Sequence, residues 1–318
     1  MNNLGSFEEY IIKKSDKIKI SSVEINNGDV FLALQGKNYH GNKFITSSLS
    51  KGAKFCITDN KNYLPNKKVI YVNNIFEYLS SLAIKKRKLY KGKLVGITGS
   101  AGKTTLKETL VFFLKKNHTI SYSKKSYNNK LGVLVSLLNL NLKSEYAIFE
   151  MGTNNFGEIK NLTKILTPQE IFITNIQSTH LQNFKSKKNI AKEKSDIFNS
   201  KYNNQNRRLY LNISSKSEDI LLQKAKKEKK LSLVLINEKK TKYYIKKIID
   251  KKKFHRIYFS INKKTLVLDI KNPVKFRLSN LLFCLAFFDQ NSLNINVVSK
   301  WHKYLKPVDG RGLVHTIS

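Results

Sequence analysis

The sequence predicts an α/β protein: a small N-terminal α/β domain, then a mainly parallel sheet flanked by helices. Three observations carry this. At 318 residues the chain is long enough for two domains, each with its own core. From Leu94 onward, short apolar runs alternate with helically spaced segments, the pattern of parallel strands joined by crossover helices. Finally, Leu94-Val95-Gly96-Ile97-Thr98 passes through Gly99-Ser100-Ala101-Gly102 into Lys103-Thr104-Thr105. This is a strand, a small-residue turn and a helix start in immediate succession.

Residues 1–91 form the first domain. Asn26-Asn27-Gly28-Asp29 is a turn signal, and Val30-Phe31-Leu32-Ala33-Leu34 after it is a strand-like run. Phe55-Cys56-Ile57-Thr58 and Val69-Ile70-Tyr71-Val72 are two more short runs bounded by turn residues. Residues 75–89 have helical spacing and a basic end, which suits the negative pole of a helix. The boundary falls at Lys91-Gly92-Lys93.

The second domain, 92–309, opens on the small-residue turn. Leu106, Leu110, Phe113 and Leu114 after it share one helix face. Such a turn can cradle a phosphate. Its glycines let the backbone approach, amides at the helix start point at the anion, and the Lys103 ammonium neutralises charge further along. Thr104 sits where a hydroxyl can reach a phosphate-bound Mg²⁺. The literal G-x-x-x-x-G-K-T pattern is not met, because Ile97 stands in place of its first glycine. Tyr146-Ala147-Ile148-Phe149 runs directly into Glu150, and Ile171-Phe172-Ile173-Thr174 leads through Asn175 to His180. Ligands of open parallel sheets bind beyond the carboxyl ends of the strands. Three strand ends therefore deliver a phosphate turn, a carboxylate and an imidazole to one edge. Glu150 has the oxygen chemistry Mg²⁺ takes; a lone histidine is more often a hydrogen-bonded loop residue.

Residues 190–198 read as a helix carrying Lys192 and Lys194, on a face that solvent alone would explain. Leu209-Tyr210-Leu211, a basic amphipathic segment over 217–229, and a strand-like run over 231–236 follow. Ile257-Tyr258-Phe259-Ser260-Ile261 and Leu266-Val267-Leu268-Asp269-Ile270 resemble an antiparallel pair joined at Asn262-Lys263-Lys264. Residues 278–288 are almost wholly apolar, hence a buried helix in which Asn280 stands out. A buried amide there either satisfies backbone groups or, beside a nucleotide, reads a base edge.

Composition narrows the class. Lys and Arg outnumber Asp and Glu 59 to 22, a net charge of +37, which invites a nucleic-acid reading. The lysines are spread along the chain, however, and no RNA-binding or zinc-finger pattern accompanies them. Non-specific attraction to anions is the expectation rather than a dedicated nucleic-acid function. No apolar run approaches the ~20 residues of a membrane helix, and the first residues lack the basic-then-apolar order of a signal peptide. Cys56 and Cys284, far apart and without C-x-x-C spacing, read as buried thiols in a reducing, cytoplasmic setting.

The motifs together resemble those of the Mur ligases, the ATP-dependent amide-forming enzymes of peptidoglycan synthesis. The resemblance rests on Gly99-Ser100-Ala101-Gly102-Lys103-Thr104-Thr105 and on Tyr127-Asn128-Asn129-Lys130-Leu131-Gly132-Val133. It also rests on the block from Glu150-Met151-Gly152 to Gly157-Glu158-Ile159, and on Asn175-Ile176 through His180-Leu181. Ile190-Ala191-Lys192-Glu193-Lys194 and Pro307-Val308-Asp309-Gly310-Arg311 complete it. These blocks span 92–318, and the one at 150–159 favours the D-alanyl-D-alanine-adding branch. The resemblance implies ATP and Mg²⁺ as cofactors, and UDP-N-acetylmuramoyl-tripeptide and D-alanyl-D-alanine as the molecules joined. It implies that 99–105 hold the ATP phosphates, with Lys103 on the transferring group, and that Thr104, Glu150 and His180 surround the metal. Lys194 matches a lysine that some relatives carry as a carbamate, with Lys192 close enough to leave that assignment open. Asn280 matches an adenine contact and Arg311 a phosphate contact. Ser22, Asn128 and Asn129 would meet substrate.

Three departures accompany the match. In the first domain, which the resemblance makes the uridine-nucleotide domain, Ser21-Ser22-Val23 replaces the family's Asp-Ser-Arg and His40-Gly41-Asn42 its Asp-Gly-His. Gln182 stands where relatives carry an acidic residue. Residues 310–318 match only the start of a third domain that closes over ATP in relatives. A separate polypeptide supplying that domain, a truncated product, or reduced activity are the alternatives. Outside the leading reading stand another Mur ligase, a folylpolyglutamate synthetase-like ligase, and a nucleotide-binding module without catalysis.

Overall fold

The computed structural model describes residues 3–306 apart from Leu64, Lys125, His180, 214–216 and 272–274. In chain order the first elements are α1 (Asn3–Lys13), β1 (Ile18–Lys19), β2 (Val30–Ala33), α2 (Ile45–Ser50), β3 (Phe55–Thr58), β4 (Val69–Tyr71) and α3 (Ile75–Leu89). Next come β5 (Lys93–Thr98), α4 (Lys103–Leu114), β6 (Ile120–Tyr122), α5 (Lys130–Leu138), β7 (Tyr146–Glu150), α6 (Glu158–Leu166) and β8 (Glu170–Ile173). The rest are α7 (Leu181–Phe184), α8 (Lys187–Ser195), β9 (Arg207–Asn212), α9 (Ser217–Ala225), β10 (Leu231–Ile236), β11 (Tyr243–Lys251), β12 (Phe254–Ile261), β13 (Lys264–Ile270), α10 (Lys275–Gln290) and α11 (Asn296–Trp301).

These elements form two compact units. One comprises Met1–Gly92 with Lys130–Ser144; the other comprises Lys93–Asn129 with the described residues from Glu145 on. The first unit is built on four strands in the order β1-β2-β3-β4, all parallel. β2 and β3 are buried at every position, as expected of short apolar strands covered on both faces. Asn74 starts α3 by accepting the Glu77 amide on its side chain at 3.1 Å, and the helix buries Ile75, Leu79, Leu82 and Ala83 along one stripe. α3 packs against α5 within this unit. Lys86, in the basic end of α3, is wholly buried rather than solvated. Its ammonium donates to the carbonyls of Ile11 and Lys14 at 2.8 Å and of Leu138 at 2.6 Å, joining the ends of α1 and α5 to α3.

The second unit is a nine-stranded sheet in the order β13-β12-β11-β10-β9-β8-β5-β7-β6. Neighbours are parallel from β6 to β11, and β11, β12 and β13 are antiparallel. The turn between β12 and β13 places Asn262 and Lys263 at φ +45° and +73°, the left-handed pair a tight hairpin needs. On one face of this sheet, Leu106, Leu110, Phe113 and Leu114 of α4 and Leu281 to Phe288 of α10 share a single core cluster. α10 is apolar nearly all round and is buried accordingly. Phe172 of β8 stacks on Tyr210 of β9 with ring centroids 4.3 Å apart, locking two central strands side to side. Both cysteines are buried, free thiols. Among the described residues no helix is long and apolar enough to cross a membrane.

Candidate functional site

β5 lies between β8 and β7, so the segments leaving these three neighbouring strands emerge on the same edge. β5 leads to the turn 99–102, β7 ends on Glu150, and β8 leads to Thr174 and Asn175.

The turn has little room. Gly99 sits at φ +142°, and a Cβ on it would lie 1.9 Å from the Thr174 hydroxyl oxygen. That hydroxyl donates to the Ala101 carbonyl at 2.6 Å. The Asn175 side chain accepts the Ala101 amide at 3.0 Å, and its carbonyl accepts the Ser100 amide at 3.0 Å. Two turn amides are thus spent on shaping the loop. The first bond of the α4 ladder runs from the Leu106 amide to the Gly102 carbonyl at 2.9 Å. The Thr104 and Thr105 amides therefore stand at the helix mouth without an intrahelical acceptor, where an anion is favoured. Lys103 folds back, its ammonium on the Gly99 carbonyl at 3.0 Å.

Glu150 is the centre of the polar cluster. It is 1% exposed, and its carboxylate accepts the Thr104 hydroxyl at 2.6 Å on one oxygen and the Asn128 amide at 2.8 Å on the other. Both donors are neutral, and among the described residues no ammonium or guanidinium pairs with it. A buried carboxylate held only by neutral donors is stabilised by a cation. A hydroxyl and a carboxylate are hard oxygen ligands that fit Mg²⁺. Among the described residues no group of three or more His, Cys, Asp or Glu could hold a metal. The fit is therefore to an ion that takes its remaining ligands from phosphate and water, as Mg²⁺ does.

Lys194 is buried and Lys192 is exposed, so helix α8 separates the two lysines that sequence left as alternatives. Burial, reinforced by the Lys103 ammonium and opposed by the Glu193 carboxylate, pushes Lys194 down to about 7. Glu193 itself is buried at the start of α6, where it accepts the Gly157 amide at 2.8 Å and the Ile159 amide at 2.9 Å. It fills that helix terminus with a protein carboxylate.

The remaining candidates are distributed differently. Asn280 on α10 is buried, and its amide nitrogen has no hydrogen-bond partner among the described residues. Asn129 is exposed next to Asn128. Ser22 belongs to the first unit, in a single turn of 3-10 helix, with its carbonyl accepting from the Lys51 ammonium at 2.9 Å. His180 and Arg311 lie outside the described residues. Sequence reasoning gave no role to Thr174, Asn175, Ser123 or Glu193, all of which shape the site. For Thr174 and Asn175 there was a signal: hydroxyl and amide side chains directly after an apolar strand that precedes a candidate site.

Two family descriptions match the chain: "Mur ligase middle domain" over residues 97–288 and "Mur ligase family, catalytic domain" over 15–89. A UDP-N-acetylmuramoyl-tripeptide–D-alanyl-D-alanine ligase of Rickettsia prowazekii is 40% identical over 184 residues, covering 58% of this chain and 41% of the relative. The enzyme of that name from Buchnera aphidicola subsp. Acyrthosiphon pisum is 37% identical over 183 residues, covering 58% and 40%. The matched segment thus spans about two fifths of either relative's length. Among solved structures, MurF ligase from Thermotoga maritima in complex with ADP superposes with a TM-score of 0.79 at 24% identity, covering 95% of this chain and 68% of that one. MurF from Acinetobacter baumannii gives 0.78 at 21% identity, covering 94% and 65%. At these identities the two structures establish the fold.

Proposed function

The chain belongs to the Mur ligase family, and from that premise we propose that it works in an ATP-dependent ligase joining D-alanyl-D-alanine to UDP-N-acetylmuramoyl-tripeptide. The observation that carries this is the Thr104–Glu150–Asn128 cluster at the mouth of the phosphate turn. The names of the two relatives support the choice of substrates.

A carboxylate is a poor electrophile and must be activated. In this reading a tripeptide carboxylate oxygen attacks the γ-phosphorus of ATP, ADP leaves, and an acyl phosphate forms. The amine of D-alanyl-D-alanine then attacks the acyl carbon, expelling phosphate and losing a proton. The amides at the start of α4 and the Lys103 ammonium, swung off the Gly99 carbonyl, take up charge on the phosphoryl oxygens as it shifts in the transition state. Mg²⁺ would be held by Thr104 and Glu150, with His180 as the third candidate ligand from the resemblance, and would neutralise phosphate charge when bound. In this reading Asn128 and Asn129 would meet substrate, Arg311 phosphate and Asn280 adenine, the last satisfying its unpartnered nitrogen. Ser22 and the rest of 1–91 serve the uridine nucleotide, and 92–309 serve ATP.

Lys194 fits a carbamate. With its amine pushed down to about 7, a neutral nitrogen is available to attack CO₂, forming an N–C bond and releasing a proton. The resulting anion would replace a like-charge repulsion with Lys103 by an attraction.

The test is isotope exchange between labelled ADP and ATP, which reads acyl phosphate formation and needs no amine. Exchange that requires UDP-N-acetylmuramoyl-tripeptide is expected, and Lys103→Ala should lower it by about 100-fold or more. Exchange indifferent to the tripeptide, or no binding of ADP by the chain, would overturn the assignment. Phosphate release with D-alanyl-D-alanine but not with single amino acids then separates this branch from the rest of the family.

A further inference from the structure

Helix α4 carries a charged side chain that the phosphate chemistry does not use. Lys107 is wholly buried, one helical turn after Thr104 and therefore on the same face of α4, which packs over β7. Burying an ammonium is costly unless strong partners replace water. An apolar side chain would fill the position at less cost, so the ammonium's partners show what it contributes. It donates to the Ser123 carbonyl at 2.6 Å and pairs with the Glu108 carboxylate at 2.9 Å.

Ser123 is the start of the segment that wraps the end of β7. Its amide donates to the Ile148 carbonyl at 3.1 Å, and its hydroxyl oxygen accepts the Glu150 amide at 3.3 Å. Five residues on, the Asn128 carbonyl accepts the Gly152 amide at 2.8 Å while its side chain donates to Glu150. The Asn128 side chain also takes the space a Cβ on Gly152 would need, 2.8 Å away. Both the backbone and the carboxylate of Glu150 are thus held by this one segment, and Lys107 ties it back to the helix that bears Thr104.

We propose that Lys107 is a positioning residue: by pinning the Ser123 carbonyl it sets Glu150 and Asn128 against Thr104, and so fixes where a divalent cation sits on the phosphates. It touches no substrate atom itself. The proposal rests on reading the cluster as a Mg²⁺–nucleotide site, and the experiment separates the two.

ADP affinity is measured by calorimetry on the full chain with and without Mg²⁺, and the ratio of the two gives the coupling. In Lys107→Met the coupling should fall by about tenfold or more, as loss of groups that orient metal ligands does, while metal-free ADP binding stays within about twofold. Ser123→Ala keeps the carbonyl and removes only the hydroxyl contact, so it should lose part of the coupling. An unchanged coupling in Lys107→Met overturns the proposal. So does a loss of metal-free ADP binding equal to the loss with Mg²⁺, which would mark a merely structural lysine. Should Lys107→Met fail to fold, Lys107→Leu, which also removes the ammonium from the Ser123 carbonyl, decides, and wild-type coupling in that variant overturns the proposal. No coupling in the wild-type chain would instead sink the underlying Mg²⁺ reading, and this proposal with it.

Discussion

Gly99 and Lys194 show what single positions contribute. At Gly99 a methyl group has nowhere to go: Thr174 blocks it, and the backbone lies where side chains are rarely tolerated. Gly99→Ala should therefore open the turn and weaken ADP binding by about tenfold or more, with cooperative unfolding retained because the core clusters are untouched. ADP affinity near wild type in this variant would contradict the assignment of the turn. The adjacent small residues were legible in sequence as a turn; the blocking hydroxyl of Thr174 was not, since it lies 75 residues away along the chain and meets Gly99 only through strand pairing. For Lys194 the pH dependence has a definite sign. Only the neutral amine reacts with CO₂, and burial brings its deprotonation down to about 7. Carbamate seen by ¹³C NMR under labelled CO₂ should increase as pH rises from 6 to 8, and should persist in Lys192→Ala but vanish in Lys194→Ala.

Helices and strands add constraints that their own sequences do not reveal. α3 was read correctly over 75–89 from its apolar spacing, yet its basic end does more than favour the helix dipole. Lys86 joins three helix ends through carbonyls contributed by α1 and α5. Lys86→Met leaves those acceptors without their donor, and unfolding by denaturant should show a loss of about 2 kcal/mol. Burial pushes the Lys86 ammonium from 10.5 down to about 7, because the carbonyls only partly replace its hydration. The unfolded chain then binds the extra proton between those values, so this residue makes stability rise with pH from about 7 to 10.5. The slope over that window should shrink in Lys86→Met. Helices α4 and α8 follow the same pattern as α3. Each carries a buried charged residue, Lys107 and Glu193, that is held inside by a partner from another segment.

At the level of the whole molecule, charge and topology act separately. The net charge of +37 predicts salt-sensitive attachment to any polyanion. Binding of random-sequence duplex DNA should fall by about tenfold or more between 50 and 200 mM salt and should be unaffected by Lys103→Ala. A sequence preference, or dependence on Lys103, would restore the nucleic-acid reading set aside here. Topology, by contrast, builds the site. The order β8-β5-β7 brings the turn 99–102, Glu150 and the Thr174–Asn175 pair to one edge. The expected convergence of strand ends is present for the turn and the carboxylate, while the third strand delivers Thr174 and Asn175 among the described residues. The first compact unit also takes in Lys130–Ser144, which lies far along the chain from the rest of that unit.

By itself the sequence determined the α/β class, the strands that flank the site, the small-residue turn and the carboxylate at the end of the neighbouring strand. These follow from local rules: apolar runs, turn residues, and a strand passing into a helix through glycine. Tertiary structure alone decided that Lys194 is inside and Lys192 outside, that Lys86 and Lys107 are buried, and that Asn175 and Thr174 hold the turn. The physical reason is that burial and hydrogen bonding depend on partners brought from elsewhere in the chain. A lysine's spacing on its own helix says nothing about which carbonyl another segment will place over it.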